Sequence, residues 1–294
     1  MGKFSTRSAE KQITSVMREL SPGLKSIRTK NNYSERLFQV ATNLKETGGG
    51  ELRDLTAISA VNYLEQRGSE VGQKTLDMER QAIQFMMINV TGKLGNKEKL
   101  TVVKSEHKQV LNSRAYTSEQ VILVSQAQTG KNQLATKLAY ACGLRAHELL
   151  TITKAEEKPM SDRPALEAKF SGRVGKIYTV TGKGGLVREI LVPKELVTRL
   201  EKTRLSTPKM VVDRKVNYIQ NYNISGGQKW SNSFSAASNR VLGWSGGAHG
   251  LRHSYAQERM SELHKQGHTR LNSLEIVSQE IGHFRPEVTE IYLR

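Results

Sequence analysis

The amino-acid sequence is divided by a polar stretch, from about Thr91 to Tyr116, that carries five lysines and shows little amphipathic order. Stretches of this kind connect domains more often than they pack within one. The chain has 294 residues, of which 37% are hydrophobic, so it contains enough apolar material for a sizeable core. We therefore predict two domains with a boundary near residue 112.

The N-terminal half carries apolar residues at helical spacing. Leu37 and Leu44 fall on one face of a helix, and a second helical series follows the triple glycine at 48–50, which interrupts the pattern. The sequence predicts an all-helical domain over residues 28–110, preceded by an N-terminal extension of residues 1–27.

The C-terminal half mixes helical and β-prone segments. Lys176–Thr181 and Leu186–Val192 favour β-structure and are joined by a glycine-rich turn at 182–185, so they predict a hairpin. From Lys194 onward the pattern is mainly helical. We predict a mainly α domain with a small antiparallel β-sheet over residues 113–294.

The charge of the chain favours a polyanionic partner. Lysine and arginine number 45 against 28 aspartate and glutamate, a formal net charge of +17, and the excess is present in both halves. Nucleic acid is the first candidate, but charge alone does not distinguish DNA, RNA and a membrane surface.

No apolar run approaches the roughly 18 residues that cross a bilayer, so we expect a cytoplasmic protein without a membrane partner. The single cysteine, Cys142, fits a reducing compartment.

Two arginines of the C-terminal half stand in motifs that could bind an anion. His249 and Arg252 are three residues apart at the start of a helical pattern, so both can face the same anion. Taken alone, they are more typical of two surface residues on a basic helix. Arg145, in turn, could be a helix-end cation with Glu148 as its local ion-pair partner.

Three further residues are ambiguous when each is considered alone. Lys183 lies in the glycine-rich turn, where a solvated lysine is common. Tyr292 lies nine positions after His283 in a last helical segment, where a tyrosine is usually half-buried packing.

In their order and spacing these motifs resemble the tyrosine recombinase family, which includes phage integrases and chromosome-dimer resolvases. The resemblance covers about residues 117–294. The helical first half is similar to the family's core DNA-binding domain only in its helical pattern. The matching motifs are Gly-Leu-Arg-x-x-Glu at Arg145 and Glu148, Gly-Lys-Gly at Lys183, His-x-Leu-Arg-His at His249 and Arg252, and Gly-His followed by tyrosine at His283 and Tyr292.

Physical chemistry supports a phosphoryl-transfer site in these residues. Attack on a phosphodiester concentrates negative charge on the non-bridging oxygens, which the planar forks of Arg145 and Arg252 could hold. A phenol has a pKa of roughly 10, so Tyr292 needs a nearby base or an electropositive site in order to attack. A covalent phosphotyrosine would conserve the bond energy for rejoining, so no ATP would be needed.

The resemblance implies the remaining roles and the assembly. His249 and His283 would form hydrogen bonds and handle protons, Lys183 would protonate the leaving 5′-hydroxyl, and Glu148 would support the arginines. The family resemblance further implies two domains clamping double-stranded DNA at specific recombination sites, a homotetramer on DNA, a Holliday-junction intermediate, and room for a DNA-bending host factor. Integration or excision of a mobile element is the preferred task, and chromosome-dimer resolution or a non-cutting DNA-binding protein on the same fold are the alternatives.

A metal-dependent nuclease is the competing chemistry. The pairs His249/His253 and His264/His268 have the spacing that metal ligands use on helices. However, no His-Glu-x-x-His motif or carboxylate cluster accompanies them. We therefore expect no metal and no cofactor, with His253 in packing or hinge support and His264 and His268 solvated.

The sequence also departs from the family pattern. Relatives often carry a second basic residue where this chain has Leu186. They also often continue into a tail that docks on the neighbouring subunit, whereas this chain runs two residues past Tyr292. Residues 1–30 are short for the additional arm-binding domain of the more elaborate integrases, so a simple two-domain recombinase is expected.

Overall fold

The computed structural model describes residues 7–24, 26–108 and 112–294. The chain separates into two compact units, Met1–Val110 and Leu111–Arg294. Helices account for 55% of the structure, and two small antiparallel sheets complete it, so the predicted fold class is confirmed. Among the helices of the described ranges, none combines the length and the apolar character that crossing a bilayer requires.

The first unit is a helical bundle around one apolar core. Gly48, with a φ of +70°, ends the second helix as the triple glycine predicts. Thr56 caps the third helix by accepting a hydrogen bond from the backbone N–H of Ser59 at 3.2 Å. The helices are α1 (Ala9–Leu20), α2 (Ile27–Thr47), α3 (Ala57–Gly68) and α4 (Gln73–Met86), and a π-helical turn (Met87–Thr91) follows α4.

Helix α1 was not among the predicted elements, and it belongs to the core of the first unit. Val16 and Leu20 are each only 1% exposed. The side-chain oxygen of Gln12 accepts a hydrogen bond from the backbone N–H of Leu52 at 2.9 Å. The apolar positions of α1 do recur at helical spacing, so the core of the first unit begins within residues 1–27, which the sequence interpretation had treated as an extension.

The polar stretch near residues 91–116 contacts the first unit at a few buried positions, although most of its described side chains are exposed. Leu94 and Leu100 lie in the core of the first unit, and the backbone N–H of Glu106 donates to the carbonyl of Gly68 at 2.9 Å. Tyr116 is already buried in the second unit. The segment expected to link the domains is therefore tied to the first unit as far as Glu106, through two isolated leucines that produce no helical period.

The second unit places its helices around a three-stranded antiparallel sheet with the order β1-β2-β3. The predicted hairpin is present, with Lys176 opposite Val192 and Thr181 opposite Val187. The strands are β1 (Thr153–Lys154), β2 (Gly175–Thr181), β3 (Val187–Pro193), β4 (Arg204–Asp213) and β5 (Val216–Tyr222). The helices are α5 (Ser118–Gln126), α6 (Gly130–Ala141), α7 (Lys194–Glu201), α8 (Gly227–Leu242), α9 (Gly250–Lys265), α10 (Arg270–Glu280) and α11 (Pro286–Thr289), with 3₁₀ helices at Glu148–Thr151, Lys183–Gly185 and Glu290–Leu293.

Strands β4 and β5 form a second hairpin that the sequence interpretation did not include after Lys194. Their two-residue turn consists of Arg214 and Lys215, which both have positive φ, +47° and +63°. Turns of this kind normally contain asparagine, aspartate or glycine, and neither residue gives that signal. The hairpin was therefore missed for a local reason, whereas the helices around it were expected.

Candidate active site

The turn after α6 carries the first site residues. Gly143 has a φ of +59°, and a Cβ there would lie 2.8 Å from the ring of Tyr255. Only glycine fits this close approach of the turn to α9. The turn directs Arg145 and Glu148 into the same region of the second unit.

Glu148 is fully buried and binds two arginines. Its Oε1 accepts from Nη1 of Arg145 at 2.8 Å, and its Oε2 accepts from Nη2 of Arg188 at 2.8 Å. Nη1 of Arg252 lies 3.9 Å from the same Oε2. Burial alone would raise the pKa of this carboxyl, but Arg188, Arg252 and Arg145 together hold it well below the usual range. Glu148 is therefore ionised and fixes the guanidinium of Arg145.

The start of α9 positions the second arginine. Arg252 is fully buried, and it donates from Nη1 to the carbonyl of Gly143 at 2.6 Å and from Nη2 to the carbonyl of Ile281. Its Nε is buried without a partner among the described residues. Burial and the nearby Arg145 lower the pKa of this guanidinium. The side chain thus joins the turn after α6 to the turn after α10.

The turn after α10 carries His283. Gly282 and Phe284 both have positive φ, +71° and +54°, and the latter is a strained conformation for a phenylalanine. Nε2 of His283 lies 3.2 Å from Nη2 of Arg252, and its Nδ1 lies 3.3 Å from Oγ1 of Thr289. Because a guanidinium can only donate, Nε2 of His283 is the acceptor and Nδ1 carries the proton.

Tyr292, in the last 3₁₀ helix, lies among three histidines. Its hydroxyl is 3.1 Å from Nε2 of His249, and its ring centroid is 4.6 Å from that of His253 and 5.0 Å from that of His283. The guanidinium carbon of Arg252 lies 5.5 Å from the centre of the tyrosine ring. Tyr292 is 8% exposed. The phenol therefore contacts a histidine directly and lies next to a buried cation.

The imidazoles around Tyr292 all have depressed pKa values. Burial, followed by the charge of Arg252, lowers the pKa of His249 to about 3 and that of His283 to about 3. Burial and Arg114 lower the pKa of His253 to about 4. All three rings are neutral near pH 7, so each has one unprotonated nitrogen, and that of His283 already accepts a hydrogen bond from Arg252.

Comparison with solved structures shows which known fold this is. A lambda integrase (75–356) dimer bound to a COC′ core site has a TM-score of 0.61 at 16% identity, over 97% of this chain and 95% of that chain. The XerH site-specific recombinase bound to difH has a TM-score of 0.58 at 14% identity, over 99% of this chain and 94% of that one. The Tn1549 transposon integrase bound to transposon right-end DNA has a TM-score of 0.59 at 12% identity, over 98% and 95%.

The chain has the tyrosine recombinase fold. No protein-family model and no curated protein sequence matches it. The resemblance inferred from the motifs is therefore confirmed at the level of the fold, by structures that share few of its residues.

Within the tyrosine recombinase fold, Lys183 stands apart from the other predicted residues. It is exposed in the turn between β2 and β3. The preceding Gly182, however, lies against the site: a Cβ there would be 3.3 Å from Oε1 of Glu148 and 3.9 Å from Nη1 of Arg145. The turn thus begins at the arginine cluster, and the lysine side chain extends from its tip.

Sequence reasoning missed Arg188, which is 2% exposed and bound to Glu148. A signal was available, because Arg188 alternates with Ile190 and Val192 on the face of β3 that points into the core. An arginine at a core-facing strand position needs an anionic or carbonyl partner.

The remaining histidines lie where packing or solvent explains them. His253 is 6% exposed and packs on the ring of Tyr292. His264 is exposed, and His268 is half-exposed near the end of α9. Within residues 7–24, 26–108 and 112–294, no three histidine, cysteine, aspartate or glutamate side chains form a group that could hold a metal ion.

Proposed function

We propose that this protein is a site-specific DNA recombinase that cuts and rejoins DNA strands through a covalent bond to Tyr292. The observation that carries the proposal is the position of the phenol: it is 3.1 Å from a neutral His249 and next to Arg252, whose neighbours Arg145 and Glu148 complete a cationic cluster. Nucleophile, base and anion-binding groups thus lie together, as attack on a phosphodiester requires.

Strand cleavage would proceed by in-line displacement. The phenolic oxygen of Tyr292 forms a bond to phosphorus while the bond from phosphorus to the 5′-oxygen breaks, leaving a 3′-phosphotyrosyl strand. The phenolic proton passes to Nε2 of His249, which is free to accept it because burial keeps this imidazole neutral. Lys183, on its exposed turn, donates a proton to the departing 5′-oxygen.

The two arginines would stabilise the charge that develops on the non-bridging oxygens. The side chain of Arg145 is 22% exposed and has only one nitrogen bound to Glu148, so its other donors are available. Nε of Arg252 has no hydrogen-bond partner within the part of the chain that the structure describes. Removing one preorganised donor from such a site typically costs about 10²- to 10³-fold in rate.

Rejoining would reverse these steps and would need no cofactor. A 5′-hydroxyl attacks the phosphotyrosine and gives its proton to Lys183, and the phenol of Tyr292 leaves with a proton returned by His249. One phosphodiester is exchanged for another, so the energy of the bond is conserved. The positive charge in the site comes from side chains, and we propose that metal ions have no part in the reaction.

For the whole protein, we propose integration or excision of a mobile element by a homotetramer on two DNA sites. Leu111–Arg294 would be the catalytic domain, and Met1–Val110 would bind the core of the site. Support comes from what the similar structures contain, which includes a lambda integrase tetramer bound to a Holliday junction and an integrase bound to transposon DNA. Chromosome-dimer resolution is the nearest alternative, and a DNA-bending host factor could assist either task.

A non-cutting DNA-binding protein is the second candidate, and one observation favours it. Arg252 is fully covered and Tyr292 is 8% exposed, so a phosphate does not reach them in this arrangement of the side chains. Such a protein would bind DNA without ever forming a covalent bond.

The test is a search for a covalent protein–DNA adduct. A library of duplexes with a randomised central region and a nick near its middle is incubated with the protein in EDTA, because a short nicked strand diffuses away and traps the cleaved state. Adducts that survive denaturing detergent are isolated, and sequencing of their DNA gives the preferred duplex.

Tyr292→Phe removes only the phenolic oxygen. This variant should bind the selected duplex as the wild type does and form no adduct. Unchanged adduct formation by this variant would exclude Tyr292 as the nucleophile. If the wild type forms an adduct only when zinc or magnesium is added, a metal-dependent nuclease is favoured. If the wild type binds DNA tightly and forms no adduct at all, the non-cutting protein is favoured.

A further inference from the structure

Arg188 forms buried contacts that connect three parts of the candidate site. Nη2 donates to Oε2 of Glu148 at 2.8 Å and lies 3.4 Å from the carbonyl of Gly143, while Nη1 donates to the carbonyl of Glu280 at 2.5 Å. A Cβ at Gly282 would lie 2.5 Å from Cδ of Arg188. The side chain is thus enclosed between the turn after α6 and the turn that carries His283.

Arg188 and Arg252 bind the same two turns. Both donate to the carbonyl of Gly143, and they donate to the adjacent carbonyls of Glu280 and Ile281. Their environments nevertheless differ, because the guanidinium of Arg252 lies under the ring of Tyr292. The 2.8 Å bond from Arg188 to Glu148 is also much shorter than the 3.9 Å separation between Arg252 and the same carboxylate.

The cluster around Glu148 carries a net positive charge. Three guanidiniums, those of Arg145, Arg188 and Arg252, surround the single carboxylate of Glu148. Arg188 is also the strongest of the three attractions that lower the pKa of this carboxyl. With Arg188 present, the cluster has a net charge of +2, and without it the net charge falls to +1, in a buried setting where charges interact strongly.

We propose that Arg188 is a positioning residue that neutralises Glu148, so that Arg145 and Arg252 keep their positive charge for the scissile phosphate. The inference rests on the proposed strand-cleavage function. Without Arg188, the carboxylate would compete with the phosphate for the two arginines and would repel it. Arg188 itself never touches the DNA.

The first test is Arg188→Met, which keeps the volume of the side chain and removes its charge. On the preferred nicked duplex, single-turnover cleavage should slow by about 10- to 100-fold, as is usual when a residue supporting a site is lost, with little change in DNA binding. Arg188→Lys should recover most of the rate because it restores the charge. Arg145→Lys should recover much less, because direct contact with the phosphate needs the planar fork.

A double variant separates electrostatics from architecture. Glu148→Gln combined with Arg188→Met removes the carboxylate together with its counter-ion, so the double variant should cleave faster than Arg188→Met alone. If the two losses multiply instead, Arg188 and Glu148 support the site independently and the proposal is wrong.

A neutral substrate provides the readout that a purely structural role would not change. A methylphosphonate at the scissile position carries no charge, so the carboxylate left by Arg188→Met repels it less, and the defect should shrink by tenfold or so on this duplex. Arg259→Met is the matched control, since Arg259 is fully buried and binds the carboxylates of Glu280 and Glu262 instead of that of Glu148. Its cleavage defect should be the same on both duplexes.

These outcomes separate the inference from the function on which it rests. Failure of the wild type to form an adduct refutes the proposed function. A wild type that cleaves, together with an Arg188→Met defect that is equal on charged and neutral duplexes and follows the loss in melting temperature, refutes the role of Arg188 alone.

Discussion

Burial determines the protonation state of each of the three histidines around Tyr292. An ordinary imidazole has a pKa near 6.5 and would be partly charged at a slightly acidic pH. Here burial and the adjacent arginines lower the pKa of His249 to about 3. The proton acceptor that we propose for the phenol is therefore neutral over a wide range of pH.

This shift predicts the acid limb of the cleavage reaction. His249 accepts a proton only in its neutral form, which exists above its pKa, so lowering the pH from 7.5 to 5.5 should leave single-turnover cleavage within about threefold. An unshifted imidazole would be about 90% protonated at pH 5.5 and would slow the reaction about tenfold. A rate that falls with an apparent pKa near 6.5 would show that His249 is solvated in the active state. His249→Gln, which keeps a polar side chain but cannot take the proton, is the control that should be slow at every pH.

Which site residues were predictable from sequence depends on the kind of contact each makes. Arg145, His249, Arg252 and Tyr292 are recognisable because their spacing within motifs is regular, and folding brings them together. Arg188 lies on a strand 40 residues from Glu148, and no local pattern connects the two. The spacing of residues along the sequence does not predict a contact that one buried charge makes with a distant part of the fold. The charged residue on the inner face of β3 did, however, indicate that a buried partner was needed.

The hairpin of β2 and β3 places Lys183 in an exposed turn, where the lysine side chain can move. Gly184 and Gly185, which follow it, have positive φ of +75° and +83°, and a Cβ at either would contact nothing. The turn is thus built for backbone freedom at its tip and is held at its base, where Gly182 lies against Glu148 and Arg145. Such a tip can bring its lysine to the leaving oxygen.

A sulfur-substituted strand tests this role. An alkoxide leaves poorly without a proton, whereas a thiolate leaves unaided, so sulfur at the bridging 5′ position makes an acid unnecessary. Lys183→Ala should cleave normal DNA about 10²- to 10⁴-fold more slowly than the wild type and recover most of the rate on the sulfur-substituted strand.

Arg145→Ala is the control for the same substrate, because the oxygens that Arg145 is proposed to bind are non-bridging and sulfur leaves them unchanged. It should recover far less. Equal slowness of Lys183→Ala on both strands would make the lysine a positioning contact, and Lys176 or a histidine would become the candidate acid.

Elements were predictable where the local chemistry of the chain is decisive. The hairpin β2–β3 has β-branched strands and a glycine-rich turn, and α5 has a capping box in which Thr117 and Gln120 bind each other's backbone. The hairpin β4–β5 has the opposite character, since Met210, Val212 and Ile219 are more than 60% exposed and its turn lacks glycine. Its register is set by pairing within the fold, which no local pattern reports.

At the scale of the whole molecule, the positive charge is spread along the chain rather than collected in a tail. Residues 1–110 and 111–294 both carry an excess of basic side chains within the total of +17. Each unit is therefore able to attract the DNA backbone by itself, whatever sequence the DNA has. The few buried charges around Glu148 contribute little to this attraction, because they are enclosed by protein.

This division of labour predicts how binding and cleavage respond to salt. If the protein neutralises about 6 to 10 phosphates, its affinity for the preferred duplex should fall by about 10³- to 10⁵-fold between 50 and 200 mM salt, because condensed counter-ions are released on binding. Single-turnover cleavage of DNA already bound should change by less than about threefold, since buried charges are screened far less than exposed ones. Fluorescence anisotropy measures the first quantity, and adduct formation at saturating protein measures the second.

Tyr292→Phe should show the same salt slope in binding, because the phenol adds no charge. A nearly flat slope would mean that the basic surface does not face the DNA, and cleavage that weakens in parallel with binding would mean that the arginine cluster opens to solvent in the complex.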